Sequence, residues 1–306
     1  MLLKTNKAHA NEERIRVTVP ALIRLSQNAL TLLPANATQQ SGQYLSPFKG
    51  RGMEFDETRL YQPGDDMRHI DWRVTARRGK VHTKLFQEER ERAVFLWIDY
   101  RAPMFFATQG VFKSVLAARC ASLLAWSAHH HNDRVGGLIF SDSTHHELKP
   151  QRGKAQTLQL IKQLVNMQTN RTAINPTNQE AGQQALARLR RIVRPGSLIF
   201  LISDFRHLNE QAESHLKQIA KHNDMVMLFI YDPLESQLPP WGRYRLSDGQ
   251  SELTVNTAAQ EKIIKYHNRF EQHKAHLQKL LNRHRLLACA TTDSPVKILQ
   301  RGFRRS

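Results

Sequence analysis

Cysteine is almost missing from this sequence: Cys120 and Cys289 are the only two in 306 residues. They lie far apart without metal-type spacing, which excludes a disulfide framework and a zinc cluster. Each sits in an apolar segment and reads as a small buried residue in a reducing compartment. Long hydrophobic runs are missing too. The longest, Ala93 to Ile98 and Met225 to Tyr231, fall far short of the roughly 20 apolar residues of a membrane helix. The opening MLLKTNKAHANEER has no signal-peptide core, so a cytoplasmic location is expected.

Nucleotide and hydrolase signatures are absent as well. At Gly153-Lys154 the P-loop positions five before the Gly and one after the Lys hold Leu148 and Ala155, which supply neither the Gly nor the hydroxyl that a phosphate and its ion require. No G-x-G-x-x-G opens a helix, which excludes the dinucleotide fingerprint. Ser203-Asp204 lacks the G-x-S-x-G elbow of an activated serine. The tracts His129–His131 and His145–His146 do not converge on one ion, because adjacent residues diverge on a helix and alternate on a strand.

What is present is positive charge, +18 in all. Residues 149–194 carry 9 Lys/Arg against 1 acid, and residues 261–306 carry 11 against 3, so these two segments hold 16 of the 18 charges. The bias favours an anionic partner. A solvated basic surface without a dedicated ligand accounts for it equally, since no nucleic-acid motif accompanies the charge.

The hydropathy pattern then sets the fold class. Apolar runs at 93–99, 133–140, 197–203 and 225–231 read as buried strands, three of them followed by or ending in Asp. A last strand is read at 286–291 and an edge strand at 145–150. Helical stretches separate them at 112–131, 154–167, 179–193, 208–222 and 262–285, with another at 19–33. WGRYRLSDG reads as a short edge hairpin. The alternation predicts an α/β fold: a doubly wound, mostly parallel sheet with helices on both faces. Ligands in such folds bind at strand carboxyl ends beside the switch in strand order. Asp99 and Asp204 both sit at such ends, and the first and fourth strands flanking the switch would bring them together.

Residues 44–92 are different: dense in charge, Gly and aromatics, with no helical period. Pro63-Gly64 fits a type II turn. Arg51, Glu54, Asp56, Arg59, Asp65, Asp66, Arg68, Asp71, Trp72 and Arg77 crowd the segment. Carboxylates this close are expected to pair with arginines, which also stack on Trp. Such a cluster is either an ion-pair network bracing the segment or a recognition surface.

This segment resembles the signature of the domain-of-unknown-function 58 family. The match comprises G-R-G-x-E-F-D at Gly50 to Asp56, R-x-Y-x-P-G-D-D at Arg59 to Asp66, R-x-I-D-W at Arg68 to Trp72 and Ala76-Arg77. E-E-R-E-R at 88–92 and D-R-V-G at 133–136 continue it. The resemblance covers about residues 40–235. It implies a bacterial protein with a von Willebrand factor A-like, Rossmann-like domain and a smaller strand-rich N-terminal part. The boundary is placed between 1–92 and 93–306. In that fold a metal-ion-dependent adhesion site uses D-x-S-x-S after the first strand, a Thr from a second loop and an Asp after the fourth strand to hold Mg²⁺. Here the loop reads Asp99-Tyr100-Arg101-Ala102-Pro103. Arg101 and Pro103 stand at the serine positions, Asp204 matches the later Asp, and Thr172 and Thr177 both remain candidates for the Thr. The site is expected to be degenerate and empty of Mg²⁺, with no other cofactor. Arg101 is expected to neutralise a carboxylate, or to meet a partner's carboxylate directly.

The resemblance also implies partners: members are commonly encoded beside MoxR-type AAA+ ATPases and other von Willebrand factor A-like proteins. The expected function is a non-enzymatic protein-binding adaptor for such an ATPase, in chaperone-like assembly or maturation, with Asp99, Arg101 and Asp204 at the partner edge. Nucleic acid is not the expected partner, and peripheral membrane contact stays open. One alternative is a nucleic-acid or anionic-surface binder acting through 149–194 and 261–306. The other is a metal-dependent hydrolase at Asp99 and Asp204.

Overall fold

The computed structural model describes residues 12–30, 53–88, 92–169, 178–239, 242–247, 252–256, 260–281 and 284–303. The first half of the chain forms helices α1 (Val19–Arg24) and α2 (Ser26–Ala29), strand β1 (Met53–Leu60), helix α3 (Trp72–Arg78) and strands β2 (His82–Glu88) and β3 (Ala93–Asp99). Then come α4 (Lys113–His130), β4 (Arg134–Phe140), β5 (His145–Gln151), α5 (Lys154–Thr169) and α6 (Ala181–Ile192). After β6 (Leu198–Ser203), α7 (Glu210–Ala220), β7 (Asp224–Tyr231) and the short α8 (Pro233–Ser236) follow β8 (Arg243–Ser247) and β9 (Glu252–Asn256). The chain closes with α9 (Gln260–Leu281), β10 (Arg285–Ala290) and α10 (Pro295–Phe303).

Two compact units result, one of residues 38–91 and one of residues 1–37 with 92–306. The N-terminal helical stretch therefore belongs with the larger unit. Its expected single helix is broken at Leu25, between α1 and α2.

In the larger unit six strands form one sheet in the order β10-β7-β6-β3-β4-β5. All neighbours are parallel except β5, which runs antiparallel to β4 at one edge. This is the mixed α/β architecture expected from the alternating pattern. Strand addition reverses between β3 and β6, so their carboxyl ends open onto the switch point.

Side chains on a strand alternate between faces, and β3 separates two cores accordingly. Val94, Leu96 and Ile98 join one cluster with the buried residues of α1, α2, α4, α5 and α10. Phe95 and Trp97 join the other, with those of α6, α7 and α9. Helices thus cover both faces. The N-terminal segment is stitched on by Val17 N–H donating to Gln168 Oε1 (2.8 Å) and Gln168 Nε2 donating to Ile15 O (2.9 Å). Cys120 and Cys289 are buried free thiols. Burial pushes the Cys120 pKa up to about 12. The stretch WGRYRLSDG, expected to hold a whole edge hairpin, supplies one strand, β8, which pairs antiparallel with the following β9 in a two-stranded sheet of its own.

In the smaller unit β1 and β2 pair antiparallel, with a bulge at Asp56 between Phe55 and Glu57. Helix α3 lies between them in sequence. Asp71 caps its start, and Gly79, at φ +66°, ends it in the left-handed conformation that Gly adopts without steric cost.

Candidate functional site

Strand β3 delivers Asp99 to the carboxyl edge fully buried. A buried carboxylate needs a cation and several donors, and the next loop supplies both. Arg101 donates its backbone N–H to Asp99 Oδ1 (2.9 Å). Its Nε lies 3.0 Å from Oδ1 and 3.1 Å from Oδ2, and a terminal guanidinium nitrogen lies 2.6 Å from Oδ2. Ser203, from the end of β6, donates its hydroxyl to Asp99 Oδ2 at 2.6 Å and accepts from Phe205 N–H at 2.9 Å.

The guanidinium is itself enclosed. It lies 5.7 Å from the Phe140 ring centre and 3.4 Å from the Arg206 carbonyl oxygen. At the start of α6, Gly182 leaves room for it: a Cβ there would stand 3.2 Å from one of its nitrogens. Arg101 is 2% exposed. Burial works against its charge, yet the Asp99 carboxylate outweighs burial and holds its pKa above the ordinary value. In this arrangement Arg101 faces inward and presents no guanidinium edge to a partner.

Asp204, 2% exposed, has its own cation. Lys113, fully buried at the first turn of α4, donates to Asp204 Oδ2 (2.9 Å) and Glu235 Oε1 (2.8 Å). Arg206 adds its N–H to Asp204 Oδ1 (3.1 Å) and its guanidinium to Glu235 Oε1 (2.5 Å). Burial alone would raise the Asp204 pKa, but the neighbouring Lys113 ammonium, then Arg206, bring it below the usual value. Glu235 is placed by a capping box: Asp232 accepts from Leu234 N–H (2.9 Å), and Glu235 Oε2 accepts from Asp232 N–H (3.0 Å). Asp232 also accepts from Thr108 N–H (2.7 Å) and the Thr108 hydroxyl (2.5 Å). The turn after β6 is strained, with Phe205 at φ +51° and His207 at +61°.

The donor set does not fit Mg²⁺. That ion requires near-octahedral oxygen ligands. Both Asp99 oxygens are engaged by Arg101, one also by Ser203, and the second serine position is Pro103. Among the described residues no three His, Cys, Asp or Glu side chains gather in a metal-holding group. Thr172 and Thr177, the two candidates for the adhesion-site Thr, lie outside the described residues. In the neighbouring loop Asp142 accepts from Ala102 N–H (2.7 Å) and Asn178 N–H (3.0 Å), tying loops together.

Sequence reasoning missed Lys113 and Glu235. A lone Lys in the apolar stretch VFKSVLAARC was the available signal, since a buried ammonium demands a carboxylate. Glu235 lies 122 residues downstream and meets it only through the topology.

The charged signature residues sit in the smaller unit. Arg51 lies outside the described residues. Glu54 and Asp56 are on β1, and their side chains also lie outside the description. Arg59 pairs with Asp65 at 2.7 Å. The Gln62 N–H and then Arg59 lower the Asp65 pKa. Asp65 N–H donates to Gln62 O (3.0 Å), closing the turn over Pro63 and Gly64, whose φ is +109°. Asp66 accepts from Arg68 N–H (3.0 Å), and Asp71 from Arg73 and Val74 N–H (3.0 and 3.1 Å). Trp72 is 70% exposed, and Arg68, Arg73 and Arg77 are exposed around it in sequence.

Comparison with known proteins adds a family pattern, described as protein of unknown function DUF58, which matches residues 57–278. Uncharacterized protein Mb1516 of Mycobacterium bovis is 29% identical over 212 residues, covering 69% of this chain and 65% of its own. The chain thus spans just under two thirds of that relative. An aerotolerance-related membrane protein from Bacteroides fragilis shares 15% identity, over 69% of this chain and 98% of its own, with a TM-score of 0.45. An uncharacterized membrane spanning protein from Vibrio fischeri shares 13%, over 68% and 94%, with a TM-score of 0.24. Both are described as membrane proteins, at odds with the cytoplasmic location expected for this chain. No described helix of this chain is long and apolar enough to cross a membrane.

Proposed function

The chain belongs to the DUF58 family, and from that premise we propose that it is a non-enzymatic protein-binding adaptor of von Willebrand factor A-like type, working with a MoxR-type AAA+ ATPase. The fold type is supported by the reversal of strand order between β3 and β6 and by the antiparallel edge strand β5. The choice of ATPase rests on the family resemblance in the 44–92 segment and the gene setting it implies.

The observation that carries the adaptor reading is the internal closure of Asp99 by Arg101 and Ser203. On this reading Arg101, a cation of the chain, takes over the role that Mg²⁺ has in the adhesion-site type. With that hydroxyl and carboxylate spent on each other, the edge is suited to contact rather than to catalysis, and no cofactor enters the proposal. Exposed groups at this edge, Phe106 (37%) and His207 among them, are the ones to meet a partner.

A second reading has one specific observation behind it. Arg188, Arg190, Arg191 and Arg194, in and just after α6, and Lys217 and Lys221, in and just after α7, are all exposed. These two helices pack together, which suits an anionic surface. The test immobilises the protein and offers it the MoxR-type ATPase of the same host, with and without ATP. Retention that weakens about tenfold or more in Phe106→Ala with His207→Glu is expected, as for loss of a contact anchor. No retention in either nucleotide state removes the ATPase reading. Salt-steep retention of nucleic acid or anionic vesicles instead would favour the second.

A further inference from the structure

Asp65 takes Arg59, while Asp66 accepts from a backbone N–H at the start of the short 3-10 turn Met67–His69 and Asp71 from two at the start of α3. Arg68, Arg73 and Arg77 beside them are exposed. Helix α3 buries its Val74–Thr75 side only partly and turns Trp72, Arg73, Ala76 and Arg77 to solvent. Residues spaced i, i+1, i+4 and i+5 line one helix face. Met67, 72% exposed, and Arg68 precede them. Leu60, Met67, Trp72 and Val81 are four of the nine large apolar side chains exposed among the described residues, although this is the smaller unit.

An indole held in water on a capped helix contributes little to folding. Trp, Arg and Met are the residues enriched where protein interfaces concentrate their energy. We infer that this face of α3 is a docking surface for a protein segment that carries carboxylates around an apolar side chain. Trp72 supplies the apolar contact, and Arg73 and Arg77 supply bidentate pairing with carboxylates.

Charge selects this occupant over a polyanion. Residues 38–91 carry 10 Lys/Arg and 9 Asp/Glu, so the unit has almost no net field of its own. Nucleic acid and anionic bilayers are drawn by summed charge, whereas a short acidic segment needs only the local pair of arginines. The inference is independent of what occupies the carboxyl edge of the sheet.

The test places a photoreactive amino acid at the exposed Ala76 in the full-length protein in its host, leaving Trp72 intact. The cross-linked partner peptide is then sequenced. An adduct on a protein segment of net negative charge that contains an apolar residue is expected. Its yield should fall about tenfold in Trp72→Ala and in Arg73→Glu with Arg77→Glu, while the melting temperature stays unchanged. Adducts on lipid or nucleic acid, adducts on a neutral or basic segment, yields indifferent to those substitutions, or no adduct would each overturn the inference.

Discussion

Arg101 folds back on Asp99 two residues earlier, meeting both carboxylate oxygens at 2.6 to 3.1 Å with its backbone and its guanidinium. The pair is buried on both sides, with side-chain exposures of 3% and 0%. Removing one member leaves an uncompensated buried charge. Arg101→Gln is therefore expected to cost about 3–5 kcal/mol, whereas Asp99→Asn with Arg101→Met removes both charges and should cost far less. Denaturant unfolding of the two variants decides, and equal losses would contradict the ion-pair account.

Gly182 makes the second prediction. Ala is the better helix former by about 1 kcal/mol, but its Cβ would stand 3.2 Å from the Arg101 guanidinium. Gly182→Ala should therefore gain no stability in the natural chain. In the Asp99→Asn, Arg101→Met background the guanidinium is gone, and the same change should gain about 1 kcal/mol. The same gain in both backgrounds would show that Gly182 does not house the guanidinium.

The third prediction concerns acid. Asp204 has a lowered folded pKa because Lys113 and Arg206 outweigh its burial. The folded state then binds fewer protons than the unfolded one below about pH 4. The stability contributed by Asp204 is fully present above that pH and is lost as pH falls toward the folded pKa. Asp204→Asn should flatten this acid limb of the stability profile. An unchanged slope would mean that other carboxylates carry it.

Much of this was legible in the sequence. Strands β3, β4, β6 and β7 stand where apolar runs end in Asp or a turn, because a strand buried on both faces has no polar alternation and reads as a continuous apolar run. The helix breaks were less legible: α1 and α2 share one apolar stretch, and propensity does not mark Leu25. The pairing of Arg101 with Asp99 was open to sequence reasoning because the two are local. The Lys113–Asp204–Glu235 triad was not, since its members come from three connections that only the strand order brings together. In the smaller unit Asp66 and Asp71, in a stretch dense enough to suggest ion pairs, cap helix starts, because an N-terminal N–H left without a partner outweighs an exposed ion pair.

The fourth prediction separates structure from recognition in that unit. Asp71→Ala removes the cap of α3 and should cost about 1 kcal/mol. Trp72→Ala and Arg73→Glu, on exposed side chains, should change stability by about 0.5 kcal/mol or less. A large loss in Trp72→Ala, read by thermal melting, would make the indole a structural residue.

The central claim is that the chain's own cation closes the carboxyl edge in place of a metal. The most direct measurement is a calorimetric titration of Mn²⁺ into the natural chain and into Arg101→Ser with Pro103→Ser, which restores two hydroxyls beside Asp99. The account predicts no saturable heat in the natural chain. It predicts a new binding event in the double variant if Asp99 is thereby freed, with circular dichroism confirming the fold. Saturable, micromolar Mn²⁺ binding by the natural chain that is lost in Asp99→Asn would contradict it.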